Sequence, residues 1–350
     1  MSQLKIAFLL SSLKIGGGEV VALTLAHSLK KSGHKVIFLL MECSGELLDD
    51  AFRNFIVVDL NCNKTYKLPI KLLKFVRLAK PDVIVSSYFK LNICACATRM
   101  LSPSFKLFLW EHSRFVKEAG ISFAYLLLAN IGYQVATGII AVSNAVAFDI
   151  ANRTLLPKRK IHVINNPINF PGDVLLKSSN KPLTRLLWIG RVQQGKRPHI
   201  ALEVLRHLYG QDDFTLDIIG DGPLLCDLKS QANLMGIKKN ITFHGYSSNV
   251  FNLAASCDIL LVTSKLEGFC NVAAEALYSG LLVVTTNSGG ILDIITNGVN
   301  GYVCSSFDSR ELAHVILKVY KQPVDRCKQR LSSLNFTPSR VLKNFLTVIQ

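Results

Sequence analysis

The chain has 350 residues, 49% of them hydrophobic and 18% charged, and its 40 Lys and Arg residues outnumber its 24 Asp and Glu residues to give a formal net charge of +16. This length predicts two domains rather than one core, and the composition excludes an intrinsically disordered chain. The positive charge favours anionic partners, which include nucleotides, phospholipid head groups and nucleic acid, without distinguishing among them.

The first half of the chain alternates short apolar runs with longer helical patterns, which is typical of parallel βαβ units. A strand predicted at residues 5–11 leads through Gly16-Gly17-Gly18 into a helix that begins at Glu19 and ends near Lys31. Further strands are predicted at 36–40, 82–86, 107–110 and 138–143. Turn-forming residues between 163 and 182 indicate a linker, so the first domain is predicted to span residues 1–175.

One long segment of the first half, residues 119–148, contains no charged residue. It is long enough to cross a membrane, which takes about 20 apolar residues. Asn130, Gly132 and Gln134 interrupt it, however, and residues 138–143 have the pattern of a buried strand. We therefore predict a buried helix, a turn and a strand, with no membrane span.

The second half repeats the alternation of strands and helices and is predicted to form a second domain at residues 176–335. Its strands are predicted at 186–190, 215–220, 241–244, 259–263, 282–286 and 301–304. Polar or glycine-containing loops follow these strands. In open parallel sheets the ligand binds beyond the carboxyl ends of the strands, so these loops are the candidate site.

Cysteine usage and the start of the chain bear on the cellular compartment. The nine cysteines include no CxxC pair, which indicates reduced thiols. The apolar run at residues 6–10 is too short for a signal peptide. We expect a cytoplasmic protein.

The strongest motif is the segment that runs from Glu267 to Glu275. Asn271 is predicted to be the N-cap of a helix beginning at Val272. The N–H groups of Cys270, Asn271 and Val272, together with the helix dipole, favour a diphosphate. Both glutamates are placed to reach the same ligand, where carboxylates accept hydrogen bonds from sugar hydroxyls. The alternative is a capped surface helix with two solvated glutamates.

Two cations follow the first strand of the second half. Arg191 is placed at the end of that strand and Lys196 lies just beyond it. Two positive charges in one crevice suit the two phosphates of a nucleotide and stabilise the charge on a departing diphosphate. The alternative is a pair of solvated surface charges.

Taken together, these motifs resemble the ordered motif series of glycosyltransferase family 4, whose members are retaining enzymes that use nucleotide sugars. The matching segments are 190–196, 220–223, 243–245, 257–258, 267–275, 288–290 and 300–301. The resemblance implies a GT-B fold of the α/β class, with two Rossmann-like domains facing each other across a cleft. It also implies that a C-terminal helix at about 336–350 returns to complete the first domain.

The resemblance assigns roles to residues of this chain. Glu267 is placed near the transferred sugar, Glu275 on the donor ribose, and Arg191 with Lys196 on the diphosphate. Donor contacts are expected from Gly268, Phe269, Cys270, Asn271 and Val272. Gly17 and Gly18 match the glycine-rich loop of the family, whose N–H groups approach the donor or acceptor. His112 matches a histidine that approaches the donor sugar, and we include it with Glu267, Arg191 and Lys196 as a candidate catalytic residue.

The chain departs from the family pattern at three places. Cys270 replaces a proline that is often found there, Gly18 stands where alanine is common, and Leu281-Leu282 replaces a proline-containing step. No charged catalytic group is lost. The sequence also lacks a D-x-D triplet, so we expect neither a metal nor another cofactor.

Other functions remain open at this point. A sugar-nucleotide epimerase or a phosphorylase has the same architecture, although no lysine context for pyridoxal phosphate is recognisable. A nonenzymatic basic protein that binds nucleic acid or membranes is a third alternative. The presence of Glu267 and Arg191 favours the enzyme. We expect a nucleotide sugar as donor, with UDP ahead of GDP by family frequency, a saccharide or lipid-linked saccharide as acceptor, and no nucleic acid as partner.

The basic charge of the first half suggests where the protein works. Residues 1–175 carry 21 basic and 11 acidic side chains, which gives +10. Between Lys64 and Arg77 basic residues alternate with apolar ones, and from Pro69 onward their spacing predicts an amphipathic helix with a basic face. We expect peripheral binding to the anionic inner face of the plasma membrane. The alternative is an ordinary helix packed on the sheet with its lysines in water.

Overall fold

The computed structural model describes residues 3–116, 122–172, 174–176, 182, 184–247 and 250–350. The chain divides into two compact units, of which one combines Met1–Asn169 with Phe336–Gln350 and the other is Phe170–Asn335. Each unit is built around one parallel sheet.

The first unit contains a seven-stranded sheet with the order β3-β2-β1-β4-β5-β6-β7, and every pairing is parallel. Its strands are β1 (Lys5–Leu10), β2 (Lys35–Leu40), β3 (Ile56–Asp59), β4 (Val83–Ser87), β5 (Lys106–Glu111), β6 (Gly138–Ala141) and β7 (Ile161–Val163). Its helices are α1 (Gly17–Lys31), α2 (Leu48–Asn54), α3 (Leu68–Ala79), α4 (Phe89–Leu101), α5 (Phe123–Gly132), α6 (Asn144–Arg153) and, at the end of the chain, α13 (Pro338–Ile349).

The central strands of this sheet are apolar on both faces because helices cover both sides of a parallel sheet. Every residue from Ile6 to Leu10 is fully buried, and Phe8 stacks on Phe38 of the neighbouring strand with ring centroids 5.7 Å apart. Helix α13 belongs to this core, since Phe345 is fully buried and lies 6.4 Å from the Trp110 ring. The C-terminal helix therefore completes the first unit.

The second unit contains a six-stranded parallel sheet with the order β10-β9-β8-β11-β12-β13. Its strands are β8 (Arg185–Ile189), β9 (Thr215–Ile219), β10 (Ile241–Gly245), β11 (Ile259–Val262), β12 (Leu282–Thr286) and β13 (Gly301–Cys304). Its helices are α7 (Pro198–Leu208), α8 (Leu225–Leu234), α9 (Val250–Ala255), α10 (Asn271–Tyr278), α11 (Ser309–Val319) and α12 (Arg326–Ser333). Both sheets have the Rossmann-like arrangement, in which the order of strands reverses beside the first strand.

The boundary between the units lies at 169/170, earlier than the predicted 175/176. The reason is that Phe170 stacks on Tyr278, with ring centroids 4.3 Å apart, and the Tyr278 hydroxyl donates a 2.6 Å hydrogen bond to the carbonyl of Pro171. The first residues of the expected linker are thus part of the second unit. Residues 173, 177–181 and 183 of that linker lie outside the described residues.

The prediction of a buried helix in the uncharged segment is wrong for α5. Only Ala129 of this helix is buried, whereas Phe123 is 82% exposed, because the helix contacts the rest of the unit along one side only. The predicted strand that follows is confirmed as β6, which is completely buried. Among the described residues no helix is both long and apolar enough to cross a bilayer.

Candidate functional site

The reversal of strand order in the second unit lies between β8 and β11, which are neighbours in the sheet although β9 and β10 separate them in the chain. Ligands of open α/β sheets bind in the crevice beyond the strand ends at such a reversal. The loop after β8 carries Arg191 and Lys196, and the loop after β11 carries Glu267. The fold therefore brings the predicted residues to the same switch point.

Lys196 and Glu267 form an ion pair in which Nζ lies 2.5 Å from Oε1. The two side chains are 29% and 10% exposed, so the pair is largely removed from water. Burial lowers the pKa of Lys196, but the Glu267 carboxylate outweighs this effect and leaves the Lys196 pKa raised. Lys196 is therefore charged at neutral pH.

The backbone around Lys196 is fixed by a chain of hydrogen bonds. The Thr263 hydroxyl donates to the carbonyls of Lys196 and Arg197 at 2.9 and 3.0 Å, and it accepts from Trp188 Nε1 at 3.0 Å. The amide of Lys265 donates to the carbonyl of Gly195 at 3.0 Å. These contacts tie the two loops together and hold the ion pair in one geometry.

Arg191 lies in the same loop but in a different environment. Its side chain is exposed, and within the described ranges no carboxylate forms an ion pair with it. Of the two cations, Lys196 is thus already engaged with a carboxylate, while Arg191 extends into solvent from the same loop.

The glycines of this site are required by close approach of backbones. A Cβ on Gly220 would lie 1.9 Å from the carbonyl oxygen of Gly190, and φ at Gly220 is +141°. A Cβ on Gly290 would lie 2.0 Å from the carbonyl oxygen of Gly268. These motif glycines therefore let the loop after β9 pack directly on the loop after β8, and the loop after β12 on the loop after β11.

The loop after β11 docks on the loop after β12 through Glu267. Its amide donates to the Ser288 carbonyl at 2.8 Å, and its carbonyl accepts from the Gly290 amide at 3.1 Å. Phe269 is buried behind this loop, at 3% exposure. The position of Glu267 is therefore fixed both by its backbone hydrogen bonds and by the ion pair of its carboxylate with Lys196.

Helix α10 begins at Asn271, so the prediction that Asn271 is the N-cap is wrong. The N-cap is Cys270, which has φ +86° and makes no side-chain capping hydrogen bond. This left-handed conformation completes the tight turn from the loop into the helix and places Asn271 and Val272 in the first helical turn. The first N–H groups of a helix have no acceptor within it, and with the dipole they favour an anion at this end.

Glu275 lies one turn into α10 and is half-buried. Burial raises its pKa to about 7. None of the described residues forms an ion pair or a hydrogen bond with its carboxylate. The group is thus an unpaired carboxyl that changes charge close to neutral pH.

The first unit carries a second cluster at its own switch point, between β1 and β4. Helix α1 begins at Gly17 directly after β1, and a Cβ on Gly18 would lie 2.5 Å from the Tyr88 hydroxyl oxygen. That hydroxyl donates a 2.6 Å hydrogen bond to Glu19 Oε1. Tyr88 follows β4 with φ +72°, a strained conformation of the kind that is concentrated at functional sites.

His112 follows β5 and joins this cluster. Its ring lies 4.8 Å from the Trp110 ring and 5.8 Å from the Tyr88 ring, measured between centroids. Burial lowers its pKa to about 4, so the imidazole is neutral at pH 7. Its Nε2 atom is buried without a hydrogen-bond partner among the described residues. A buried polar atom without a partner is uncommon in a folded protein, so His112 stays a candidate for contact with a ligand.

The residues flanking His112 are held by polar contacts of their own. Glu111 accepts hydrogen bonds from Asn92 at 2.8 Å and from the Tyr133 hydroxyl at 2.5 Å, and burial raises its pKa. On the other side, Arg114 donates to Asp149 at 3.0 Å. His112 is thus positioned between two anchored neighbours. Sequence reasoning missed Tyr88, which lies two residues beyond the strand predicted at 82–86.

A metal site is not built by the part of the chain that the structure describes, since no three His, Cys, Asp or Glu side chains come together there. Metal-independent activity stays a prediction.

Two protein-family models match the chain and together span most of it. The model described as glycosyl transferases group 1 matches residues 177–332. The model described as Glycosyltransferase Family 4 matches residues 15–170. Each model therefore matches most of one of the two structural units.

Curated proteins similar to the chain include two bacterial transferases. One is the GalNAc-α-(1→4)-GalNAc-α-(1→3)-diNAcBac-PP-undecaprenol α-1,4-N-acetyl-D-galactosaminyltransferase of Campylobacter jejuni, 25% identical over 99% of this chain and 98% of that protein. Another is the UDP-Gal:α-D-GlcNAc-diphosphoundecaprenol α-1,3-galactosyltransferase of Escherichia coli, 24% identical over 81% of this chain and 79% of that protein. Both resemblances run through the two units.

A solved structure with the same fold is that of HepE from Anabaena, in complex with UDP. It aligns with a TM-score of 0.84 and 21% identity, and the alignment covers 98% of each chain. At this level of identity the match establishes the shared fold.

Proposed function

Because the chain belongs to glycosyltransferase family 4 and has the GT-B fold, we propose that it transfers a sugar from a UDP-sugar to a lipid-linked saccharide with retention of the anomeric configuration. That it is a hexosyltransferase follows from the family and its relatives. The donor, the acceptor and the stereochemistry are the proposal. The observation that carries it is the ion pair of Lys196 with Glu267 at the switch point of the second unit, beside the start of α10.

The donor diphosphate is proposed to bind between the loop after β8 and the N-terminus of α10. Lys196 has three N–H donors, and its contact with Glu267 uses only one of them, so the others can reach phosphate oxygens. The exposed guanidinium of Arg191 supplies a second cation from the same loop. Two cations and a helix N-terminus stabilise the negative charge that develops on UDP as the bond between the anomeric carbon of the sugar and the diphosphate breaks.

The two glutamates of the motif are proposed to bind different parts of the donor. Glu267, held in place by Lys196 and by the loop after β12, accepts hydrogen bonds from hydroxyls of the transferred sugar. Glu275, one turn further along α10, accepts hydrogen bonds from the ribose hydroxyls. Hydrogen bonds from the ribose hydroxyls to this unpaired carboxylate favour its charged form. They thereby offset the effect of burial, which raises the pKa of Glu275.

The first unit is proposed to contribute Gly17, Gly18 and His112. The glycine-rich turn allows a saccharide to approach the backbone closely at the start of α1. The unpaired Nε2 of the neutral His112 provides a hydrogen-bond partner for a sugar hydroxyl. No side chain is assigned as a covalent nucleophile, and the residues named stabilise the departing diphosphate and orient the sugar.

UDP and a lipid-linked acceptor are proposed by analogy with the relatives. The name of the Escherichia coli enzyme specifies UDP-Gal and a diphosphoundecaprenol acceptor, that of the Campylobacter jejuni enzyme specifies a PP-undecaprenol acceptor, and the HepE structure contains UDP. For this chain we propose a role in cell-surface polysaccharide biosynthesis, at the cytoplasmic side of the membrane.

A lipid-linked acceptor requires access to a membrane, and α3 supports peripheral binding. This helix spans Leu68–Ala79 and buries Leu72 and Phe75 against the unit. Lys74 and Arg77 on this helix are exposed, as is Lys67 at its N-cap. Each basic residue near an anionic surface contributes about 1 kcal/mol.

The proposed function is tested by incubating the purified chain with UDP-sugars and GDP-sugars and an undecaprenyl-diphosphate-linked saccharide extract. Label from a UDP-sugar is expected to enter the lipid fraction with the α configuration. Transfer should be lost in Glu267→Ala and retained in Lys239→Ala. Lys239 is an exposed lysine that precedes β10 and lies outside the motif loops. Conversion of the donor to an epimer without transfer, or no use of any nucleotide sugar, would overturn the proposal.

A further inference from the structure

Helix α5 of the first unit has one face that is entirely apolar and exposed. Phe123, Leu127, Leu128 and Ile131 are 82%, 53%, 46% and 63% exposed. Their spacing of four, five and eight residues from Phe123 places them on one side of the helix. No residue of α5 is charged. A contiguous exposed apolar face of this kind is unusual on a soluble surface and marks an interaction site.

The opposite face of α5 attaches the helix firmly to the unit. Tyr125 packs on Phe89 of α4, with ring centroids 4.3 Å apart, and Ala129 is fully buried. At Gly132 the backbone lies so close to α4 that an added Cβ would be 3.3 Å from Ile93. The exposed face is therefore displayed on a helix whose orientation is fixed, and it is not the result of a detached segment.

The segment after α6 extends this face and adds charge to it. Leu155 is 86% exposed, and its amide donates a 2.5 Å hydrogen bond to Asn130 Oδ1 of α5. Gln134 donates to the Leu155 carbonyl at 3.3 Å, and Lys160 Nζ donates to the Gln134 carbonyl at 2.6 Å. Leu155 thus lies beside the C-terminal end of α5.

Four basic residues and no acidic residue occur between positions 150 and 160. Of these, Arg153, Lys158 and Arg159 are exposed. The result is an apolar surface bordered by cations. This combination matches the boundary of an anionic bilayer, where apolar side chains reach the acyl chains and cations meet the head groups.

We propose that the face of α5, together with Leu155 and the basic segment 153–160, is the surface through which the first unit inserts into an anionic membrane. The inference deepens the proposed function, on which it rests for the need of a lipid-linked acceptor. It differs from the expectation for α3, whose exposed face alternates Ile70 and Leu78 with charged residues and has no continuous apolar surface. Both α3 and α5 pack against α4, so the two helices belong to the same part of the first unit.

The test uses the full chain and vesicles of phosphatidylglycerol with phosphatidylcholine, or of phosphatidylcholine alone. Leu127→Ser with Leu128→Ser should reduce sedimentation with the anionic vesicles by about tenfold, since two leucines no longer leave water. Lys158→Gln with Arg159→Gln should reduce it at low salt and have little effect at high salt. The matched control is Leu234→Ser, which replaces an 86% exposed leucine on α8 of the second unit and should bind vesicles as the unmodified chain does.

A second measurement reports insertion directly. In a Phe123→Trp variant, indole fluorescence should shift to shorter wavelength with anionic vesicles and should be quenched by brominated acyl chains. Circular dichroism of each variant establishes that the fold is retained. Unchanged vesicle binding of the leucine variant, or an indole that remains in water, would refute the proposal. So would a leucine variant that changes the oligomeric state while vesicle binding is unaffected, because the face would then bind a second copy of the chain.

Failure of this proposal can be separated from failure of the proposed function. Transfer to a short-chain, water-soluble acceptor does not require insertion, so the leucine variant should retain it fully. If that transfer occurs while vesicle binding is indifferent to α5, the enzyme assignment stands and the membrane surface is wrong. If vesicle binding depends on α5 while no sugar is transferred, the membrane surface stands and the proposed reaction is wrong.

Discussion

Replacement of Lys196 by alanine should have two separable effects, because this residue is paired with Glu267 and is also proposed to bind the diphosphate. The first effect is on stability. Breaking a fully buried ion pair costs about 3–5 kcal/mol, since a carboxylate is left without its partner. Glu267 is 10% exposed and Lys196 29% exposed, so water can reach the cavity and we expect a smaller loss, of about 2 kcal/mol. For a domain of this size that loss lowers the melting temperature by about 4–8 °C.

The second effect is on nucleotide binding and turnover. Losing one electrostatic stabiliser of the departing group typically costs about 2–4 kcal/mol, or about 30-fold to 1,000-fold in rate. Isothermal titration with UDP and measurement of kcat/KM should both register the loss. Arg191→Ala should produce a similar loss of UDP affinity with almost no change in melting temperature, because Arg191 is exposed.

A double variant separates the two effects of Lys196. Combining Lys196→Ala with Glu267→Gln removes the charge that was left unpaired, so stability should recover toward that of the unmodified chain while UDP affinity stays low. Lys239→Ala, which removes an exposed lysine of the same unit, should change neither quantity. Unchanged UDP affinity and unchanged turnover in both the Lys196 and the Arg191 variants would refute the reasoning.

Four further predictions concern metal, pH and the role of His112. Transfer should persist in excess EDTA, because cations of the protein replace a divalent ion, and complete loss that magnesium or manganese restores would contradict this. Because the pKa of Glu275 is raised to about 7, the folded chain binds more protons than the unfolded chain between about pH 4.5 and 7. Stability should therefore fall as pH rises through this window. Thermal melts at a series of pH values should show a smaller slope for Glu275→Gln. The pKa of His112 is lowered to about 4, so its effect on stability has the opposite sign and stability should fall as pH drops from 6.5 toward 4. If His112→Phe keeps the full slope in melts at acid pH, the ring is not buried as described. The same variant should reduce kcat/KM for transfer while leaving UDP affinity nearly unchanged, and an equal loss in both would assign His112 to nucleotide binding instead.

Much of the fold could be predicted because its central strands are continuous apolar runs flanked by glycine. The strands missed by sequence reasoning, Ile56–Asp59 and Ile161–Val163, are the two edge strands of the first sheet, and both are short and only partly buried. Edge strands carry a weak apolar signal, since one side lacks a neighbour. The error at α5 has a related cause. An apolar sequence predicts a helix without charged residues, but it does not predict whether that helix is buried inside the protein.

At the candidate site, the sequence predicted which residues come together better than how they interact. The pairing of Lys196 with Glu267 joins positions 71 residues apart and arises only when β8 and β11 become neighbours. Likewise, the contact between Tyr88 and Glu19 spans 69 residues, and no local pattern indicates it. The N-cap at Cys270 was missed because capping preferences favour asparagine, whereas the geometry here is set by the tight turn that precedes the helix.

The backbone conformation of Cys270 has a consequence for how this sequence can change. A designer who follows the resembling motif would replace Cys270 by the proline that is often found at this position. The ring of proline fixes φ near −65°, whereas Cys270 has φ +86°. A proline would therefore force the chain to rotate between Glu267 and α10, where the ion pair and the helix start are both fixed. Glycine adopts this conformation without strain, so Cys270→Gly should preserve the start of α10 where Cys270→Pro should not.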